Sequence, residues 1–370
     1  MSTSRLEVWQ VFGDLGRLGY VPGMRTLVVG CGAIGGVVAG SLAGLGLDVS
    51  VLTTNPEIAK ALREHGFRFC GENAPGDASI AKEQVLESLE GHAGEFDVVL
   101  LATQPPQVED AARSVAPFLK PTTQVVCFQN GLCEERIAPI VGTDRVVGAV
   151  VAWGASMAEP GVYDRTSAGG FTLGRLDGGS DGKLDELARA LESVGPVVLT
   201  PNLAGVRWSK LAINCAISSL GTIGGDRLGV LMRKRHVRRL ALEVMTEVVR
   251  VAQHERIVLE KVSGTIDLEW IALTESEAAV SGSPSLVAKH GLLLAVGTRY
   301  RRLRSSMLAA IERGRPPAVD FLNGEIVRRG ARAGIPTPIN SAVRELVWRI
   351  ARGESSATHA ALRALYDQTR

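Results

Sequence analysis

No apolar run in this sequence approaches the ~20 residues that a membrane-spanning helix requires, and the N-terminus lacks the charged-then-apolar pattern of a secretory signal. A cytoplasmic protein without a membrane partner is the expectation. Charge of one sign is lacking too: 41 basic side chains stand against 39 acidic ones in 370 residues, a formal net charge of +2. So small an imbalance gives no field that would favour nucleic acid as a partner. Cysteine is scarce, with Cys31, Cys70, Cys127, Cys133 and Cys215 scattered and no closely spaced pair. Reduced thiols acting as small hydrophobes fit that scatter better than a disulfide framework. No His/Cys cluster has metal-ligand spacing and no Gly-x-Ser-x-Gly elbow occurs, which argues against metal and serine-hydrolase chemistry. Internal repeats are lacking as well.

What is present starts at Leu27-Val28-Val29-Gly30-Cys31-Gly32-Ala33-Ile34-Gly35, where an apolar run breaks into three glycines. A helical pattern over 36–45 follows, then a second apolar strand at 48–52. Strand, turn and helix in this order predict that Gly30 permits a tight turn, Gly32 removes a side chain that would block a pyrophosphate, and Gly35 lets the helix lie close to the strand. A dinucleotide is the implied ligand, cradled by Gly30, Cys31, Gly32, Ala33, Ile34 and Gly35; the alternative is a glycine turn that binds nothing. After the second strand, Thr53-Thr54-Asn55 offers hydroxyls and an amide where an acid would bond the ribose of NAD. Nothing there repels a 2′-phosphate, so NADP(H) is favoured, with Thr53 and Thr54 as contacts. Lys60 and Arg63 are candidate substitutes for the arginine that usually meets that phosphate.

At 370 residues two domains are expected. Strands at 25–29, 48–52, 96–102 and 124–128 alternate with helices at 33–45, 57–65 and 107–118. That alternation predicts a doubly wound parallel sheet of Rossmann type, extended by antiparallel strands over 146–174, a helix at 182–193 and a strand at 196–199. Beyond 202 only helical periodicity remains, at 203–223, 235–256, 266–280, 285–312, 318–333 and 338–352. Gly291 and Gly297 inside 285–312 predict a kink or a close helix approach. The expected fold class is α/β, with a Rossmann domain at 24–201, an all-α-helical domain at 202–370, and an N-terminal extension at 1–23. Trp9 and Phe12 of that extension would pack an amphipathic turn onto the domain or onto a partner subunit, the alternative being a partly disordered tail.

Ligands of an open parallel sheet lie beyond the carboxyl ends of its strands. Gln129-Asn130-Gly131 follows one strand, and its amide side chain suits a nicotinamide or a substrate oxygen, although Asn-Gly is also a favoured turn pair. Thr103-Gln104-Pro105-Pro106 follows another. In Arg207-Trp208-Ser209-Lys210-Leu211-Ala212-Ile213-Asn214-Cys215-Ala216-Ile217-Ser218, the residues Lys210, Asn214 and Ser218 recur every four positions on one helix face. Desolvation would lower the lysine's pKa toward neutrality and make it a proton donor to a carbonyl oxygen that receives a hydride. A lysine snorkelling to solvent is the structural alternative. Ser305-Ser306-Met307, placed mid-helix after Arg299–Arg304, would hydrogen-bond a carboxylate, or bond back to its own helix.

Taken together, the glycine turn, Gln129-Asn130-Gly131, Trp208-Ser209-Lys210 with Asn214, Ser305-Ser306-Met307-Leu308, and Asp320-Phe321-Leu322-Asn323-Gly324 followed by Gly334-Ile335-Pro336-Thr337-Pro338 resemble the ketopantoate reductase family over residues 24–350. The resemblance implies NADPH in a cleft between the two domains and reduction of 2-dehydropantoate to pantoate. It implies Lys210 as general acid with Asn214 beside it, Gln104 and Asn130 at the cofactor, and Asn130, Lys210, Asn214, Ser218 and Ser306 at the substrate. A small-molecule substrate and a homodimer go with it. Some positions depart from the family's pattern. Ser218 replaces a second asparagine, Ala318 an acid, and Gln104 a lysine; an asparagine expected near Leu228-Gly229 is missing, and 260–295 is longer than usual. A different 2-oxo acid or a C=N substrate is therefore the alternative reading, and a non-catalytic NADP sensor the second.

Overall fold

The computed structural model describes residues 23–71, 74–262, 266–280 and 282–369, so the extension carrying Trp9 and Phe12 lies outside the described residues. The chain divides into two compact units. One comprises residues up to Thr103 with Ala111–Phe128 and Arg145–Thr200; the other comprises Gln104–Asp110, Gln129–Asp144 and residues from Pro201 onward. Residues 104–110 and 129–144 thus group with the helical unit although they lie within the first 201 positions.

The first unit is built on strands β1 (Thr26–Val29), β2 (Val49–Leu52), β3 (Arg68–Cys70), β4 (Val85–Leu86), β5 (Val98–Leu101), β6 (Gln124–Cys127), β7 (Val146–Val151), β8 (Ser156–Glu159), β9 (Val162–Asp164), β10 (Phe171–Arg175) and β11 (Val197–Leu199). Eight of them form one sheet in the order β11-β10-β7-β6-β5-β1-β2-β4, and β3-β9-β8 form a small second sheet. All pairs of the large sheet are parallel except β7 with β10. The Val- and Leu-rich strands β1, β2, β5 and β6 are buried at every position, as in a sheet covered on both faces. The Rossmann-type doubly wound sheet predicted from the sequence is present. Strands β3 and β4, unanticipated, are too short to leave a periodic signal.

This part of the chain also carries helices α1 (Ala33–Gly44), α2 (Pro56–His65), α3 (Val108–Val115), α4 (Cys133–Val141) and α5 (Gly182–Leu191), of which α4 and the first turn of α3 belong to the second unit. Chain order reverses at β1, which has β2 on one side and β5 on the other. Helix α1 leaves β1 at this switch point and lies unusually close to what it covers. A Cβ added at Gly35 would stand 1.9 Å from the Gly30 carbonyl oxygen, and one at Gly36 would stand 2.0 Å from the ring of Tyr163. Tyr163 is fully buried, and its hydroxyl donates to the Cys31 carbonyl at 3.1 Å.

The second unit holds α6 (Leu203–Gly224), α7 (Leu228–Met232), α8 (Arg235–His254), α9 (Leu268–Ile271), α10 (Glu275–Ala279), α11 (Pro284–Arg299), α12 (Ser306–Glu312), α13 (Asn323–Ala333), α14 (Pro338–Ala351) and α15 (His359–Gln368). Its core gathers Trp208, Leu211, Cys215, Leu220 and Ile223 of α6 with Val237, Leu240, Val244 and Val248 of α8. Helix α6 starts where the Asn202 side chain accepts from the Gly205 amide at 3.0 Å and stops at Gly225 in the left-handed region.

Three expected helices are interrupted. The 285–312 pattern is two helices, because the Leu303 carbonyl accepts from the Leu228 amide at 2.9 Å and Ser305 turns extended to cap α12. Ser306 therefore begins a helix rather than sitting inside one. Gly297 does mark a close approach, since a Cβ there would meet Met232 at 2.4 Å. The 266–280 pattern splits into α9 and α10, where the Leu273 amide bonds the Thr246 hydroxyl at 2.8 Å and Thr274 caps anew. The 318–333 pattern opens as a 3₁₀ turn over Ala318–Phe321 before α13. Among the described residues no helix is long and apolar enough to cross a membrane.

The closeness of α1 to Tyr163 gives a direct check. Gly36→Ala should destabilise the protein by about 1–3 kcal/mol, the usual cost of overpacking, measured as a lower denaturant midpoint at unchanged slope.

Candidate active site

In the first unit, Gly30 takes φ +93°, closed to side chains with a Cβ, and its amide bonds the Leu52 carbonyl at 2.9 Å. A Cβ at Gly32 would meet nothing within 4 Å. Gly32 is the N-cap of α1 and has no side chain to offer, so the first-turn amides of Ala33, Ile34 and Gly35 have no intrahelical acceptor. Cys31 is buried, and burial pushes its thiol up to about 12, which removes it from thiolate chemistry.

The Thr53-Thr54-Asn55 corner is partly committed. Asn55 caps α2, accepting from the amides of Glu57 at 2.9 Å and Ile58 at 3.2 Å, and the buried Thr53 hydroxyl accepts from the Asn55 amide at 3.3 Å. Thr54 is the exposed member. Arg63 bonds Glu87 at 2.6 Å and the Val85 carbonyl at 2.8 Å, whereas Lys60 is exposed.

The second unit brings the remaining candidates together along α6. Lys210, Asn214 and Ser218 are each half-buried and share one face of the helix. By the 1.5 Å rise per residue, Asn214 lies about 6 Å along the axis from each of the other two. One turn before Lys210, Arg207 is 3% exposed; it pairs with Glu134 of α4, 2% exposed, and donates to the Gln129 carbonyl at 2.9 Å. Loss of water around the Lys210 ammonium, reinforced by Arg207 and partly offset by Glu134, lowers its pKa from 10.5 to about 7. Burial pushes the Glu134 carboxyl up, against the pull of Arg207.

The Gln129-Asn130-Gly131 turn sits on the start of this machinery. Asn130 is exposed, Gly131 takes φ +95°, and a Cβ on Gly131 would lie 2.5 Å from the Phe321 carbonyl oxygen. Arg136 stacks over the Phe321 ring at 4.4 Å and bonds Glu325 at 2.9 Å. Gln104 is exposed at the head of the 3₁₀ turn Pro105–Gln107.

Two serines and an asparagine have different stations from each other. Ser305 is buried; its hydroxyl donates to the Ser218 carbonyl at 2.8 Å and lies 2.9 Å from the Thr222 hydroxyl. Ser306 beside it is exposed and next in sequence to the residue that bonds the Ser218 carbonyl, two helical turns beyond Lys210. Asn323 is fully buried. It bonds the Ser219 hydroxyl at 2.5 Å, the Cys215 carbonyl at 3.1 Å and Asn340 at 2.9 Å, and Asn340 in turn bonds Glu247 at 2.7 Å. The asparagine of Asp320-Phe321-Leu322-Asn323-Gly324 thus ties α6, α8, α13 and α14 together.

Sequence reasoning passed over Glu134 and the role of Arg207. A signal existed: Glu134 shares the face of Ile137, Ala138 and Val141, all buried, so an acid stood on an inward face.

Residues 26–178 match the family described as Ketopantoate reductase PanE/ApbA, and residues 202–351 match Ketopantoate reductase PanE/ApbA C terminal. The chain belongs to the ketopantoate reductase family. It is 24% identical over 335 residues to the 2-dehydropantoate 2-reductase of Pyrococcus horikoshii, a match covering 90% of this chain and 98% of the relative. The PanE/ApbA family ketopantoate reductase of Ralstonia eutropha JMP134 has a crystal structure that aligns with TM-score 0.72 at 26% identity, over 90% of this chain and 99% of that one. The ternary structure of D-mandelate dehydrogenase with NADH and anilino(oxo)acetate aligns with TM-score 0.72 at 21% identity, over 92% and 99%, and so shares the fold. Ketopantoate reductase family membership places the chain among the oxidoreductases.

The Asn323 network yields a stability test. Asn323→Ala strands the Ser219 hydroxyl and the Asn340 side-chain oxygen, each costing about 1–3 kcal/mol when left buried and unpaired, while the Cys215 carbonyl keeps its helical bond. Chemical denaturation should show a loss of roughly 3 kcal/mol, and a loss below ~1 kcal/mol would contradict a structural role.

Proposed function

We propose that this protein reduces a 2-oxo acid with a nicotinamide dinucleotide, with 2-dehydropantoate as substrate, pantoate as product and Lys210 as the proton donor. The observation that carries the reading is a lysine poised near neutrality in a buried helix, with an amide one turn away on the same face. The glycine turn fits the pyrophosphate of such a cofactor: it has the left-handed conformation at Gly30, open space over Gly32, and first-turn amides without an intrahelical acceptor. The bound dinucleotide supplies the hydride.

Lys210, protonated, gives its proton to the carbonyl oxygen as the C=O becomes C–OH, and Asn214 orients that oxygen and the ammonium. Ser218 and Ser306, at the next level of α6, hold the carboxylate, and Asn130 positions the carboxamide of the cofactor. Gln104 lines the cofactor side. NADP(H) is preferred because residues 53–55 carry no acid, with Thr54 and Lys60 the exposed groups nearest that corner; Arg63 is engaged by Glu87. A homodimer is part of this reading. A second 2-oxo acid is favoured by two particular residues, Ala318 and Gln104, where uncharged side chains stand in place of the family's usual charges.

Oxidation of NADPH and NADH is to be followed with 2-dehydropantoate beside branched and aromatic 2-oxo acids and cyclic imines. Turnover of 2-dehydropantoate with lower KM for NADPH supports the first reading; turnover only of another acid moves the protein to the second, and turnover of none overturns both. Lys210→Ala should lower kcat by about 10²–10⁴ while the melting temperature holds. The pH profile has a definite sign. The acid form of Lys210 drains away above its pKa of about 7, so kcat/KM for reduction should be flat below pH 7 and fall about tenfold per unit above it. A profile level to pH 9 would remove Lys210 from the role.

A further inference from the structure

We propose that Arg207 and Glu134 form a positioning pair that joins the Gln129-Asn130-Gly131 turn to the Lys210 helix and sets the electrostatic surroundings of the Lys210 ammonium. The inference rests on the reading of Lys210 as proton donor. Its geometry is self-contained: one guanidinium reaches the Glu134 carboxylate of α4 and the Gln129 carbonyl at 2.9 Å, from a position one turn before Lys210. Both side chains are at most 3% exposed.

A pair so deeply buried is a poor device for stability, because removing both charges from water offsets most of their attraction. What it does accomplish is local. It fixes the peptide preceding Asn130 against α6, and it places one positive and one negative group beside the same ammonium. Several other charged groups of α4 and α13 are engaged with one another. Glu325 of α13 bonds Arg136, Arg328 and Arg329, while Arg329 also bonds Glu135 of α4 and Glu255. Arg207 lowers and Glu134 raises the proton affinity of Lys210.

Competitive acylation with acetic anhydride across pH, read at Lys210 by mass spectrometry, reports its titration midpoint without any substrate. The result therefore stands apart from which acid the enzyme reduces. Glu134→Gln, which keeps an oxygen acceptor for Arg207, should lower the midpoint by about one unit, a tenfold change in proton affinity. Glu134→Asp should bring it back toward the wild-type value. Arg207→Gln should raise it. A pair that was merely structural would, when broken, let water in and move both Glu134→Gln and Arg207→Gln upward toward an ordinary lysine. A Glu134→Gln midpoint at or above wild type overturns the proposal. Should Glu134→Gln fail to fold, Arg207→Lys, which keeps the positive charge and gives up the guanidinium fork, carries the test. Its midpoint should stay near the wild-type value, whereas a pair that only excludes water would let it rise toward an ordinary lysine, and such a rise overturns the proposal.

Discussion

A buried helix that carries charge has to answer each charge nearby, and α6 imposes that requirement on the whole second unit. Over its 22 residues it buries Arg207 and Trp208 near its start and Ser219 and Thr222 near its end. Each recruits a different neighbour. Arg207 draws in Glu134 and the Gln129 carbonyl, Trp208 lies under Arg329 at 5.3 Å, Ser219 meets Asn323, and Thr222 meets Ser305. The partners come from α4, α13 and the head of α12, so satisfying one helix's polar groups assembles much of the unit. Apolar contact with α8 supplies the bulk of the burial, and the polar pairs fix which rotation of α6 that burial accepts. Lys210, Asn214 and Ser218 end up half-buried on a common face because that rotation is fixed.

The first unit depends on a constraint of the opposite kind, the absence of side chains. Helix α1 carries Gly35, Gly36 and Gly40 on surfaces that touch the Gly30 carbonyl, Tyr163 and Phe69. Tyr163 and Phe69 belong to β9 and β3, so the small second sheet is seated against α1 by aromatic rings lying where glycine Cβ atoms would be. The Tyr163 hydroxyl then reaches the Cys31 carbonyl inside the glycine turn itself. A feature that reads in sequence as a phosphate cradle is therefore also a packing device, and the two demands fall on different glycines: Gly32 faces open space, Gly35 and Gly36 face neighbours.

This division explains what could be read in advance. The parallel sheet and the helical second half were legible because Val- and Leu-rich strands and 3.6-residue periodicity extend over many positions, and the family because several of its motifs stand in order along the chain. Helix ends at Ser305, Thr274 and Phe321 were not, because each depends on a distant backbone or side-chain partner such as Leu228 or Thr246. The same holds for individual polar residues. Ser305 of the serine pair and Asn323 of the Asp-Phe-Leu-Asn-Gly motif are bonded inside the helical unit, whereas Glu134, outside every motif, pairs with Arg207 one turn before Lys210. Sequence shows which polar residues lie on apolar faces; it does not show whether a buried partner waits for them.

An ammonium brought down to about pH 7 is only half charged at neutrality, which is a weak position for a proton donor taken alone. A carboxylate-bearing substrate changes that balance. Arg207 and protonated Lys210 outnumber Glu134 by one positive charge, so the proposed 2-oxo acid would enter surroundings short of negative charge, and its own carboxylate would raise the proton affinity of Lys210. On that proposal, binding would charge the donor, and a developing alkoxide would draw the proton strongly, because a partly desolvated lysine holds it less tightly than an ordinary one. Burial of Lys210 and the neighbouring Arg207 thus work in one direction, against Glu134: the free enzyme carries a half-charged amine, and the proposed anionic carbonyl substrate would shift it toward the acid form.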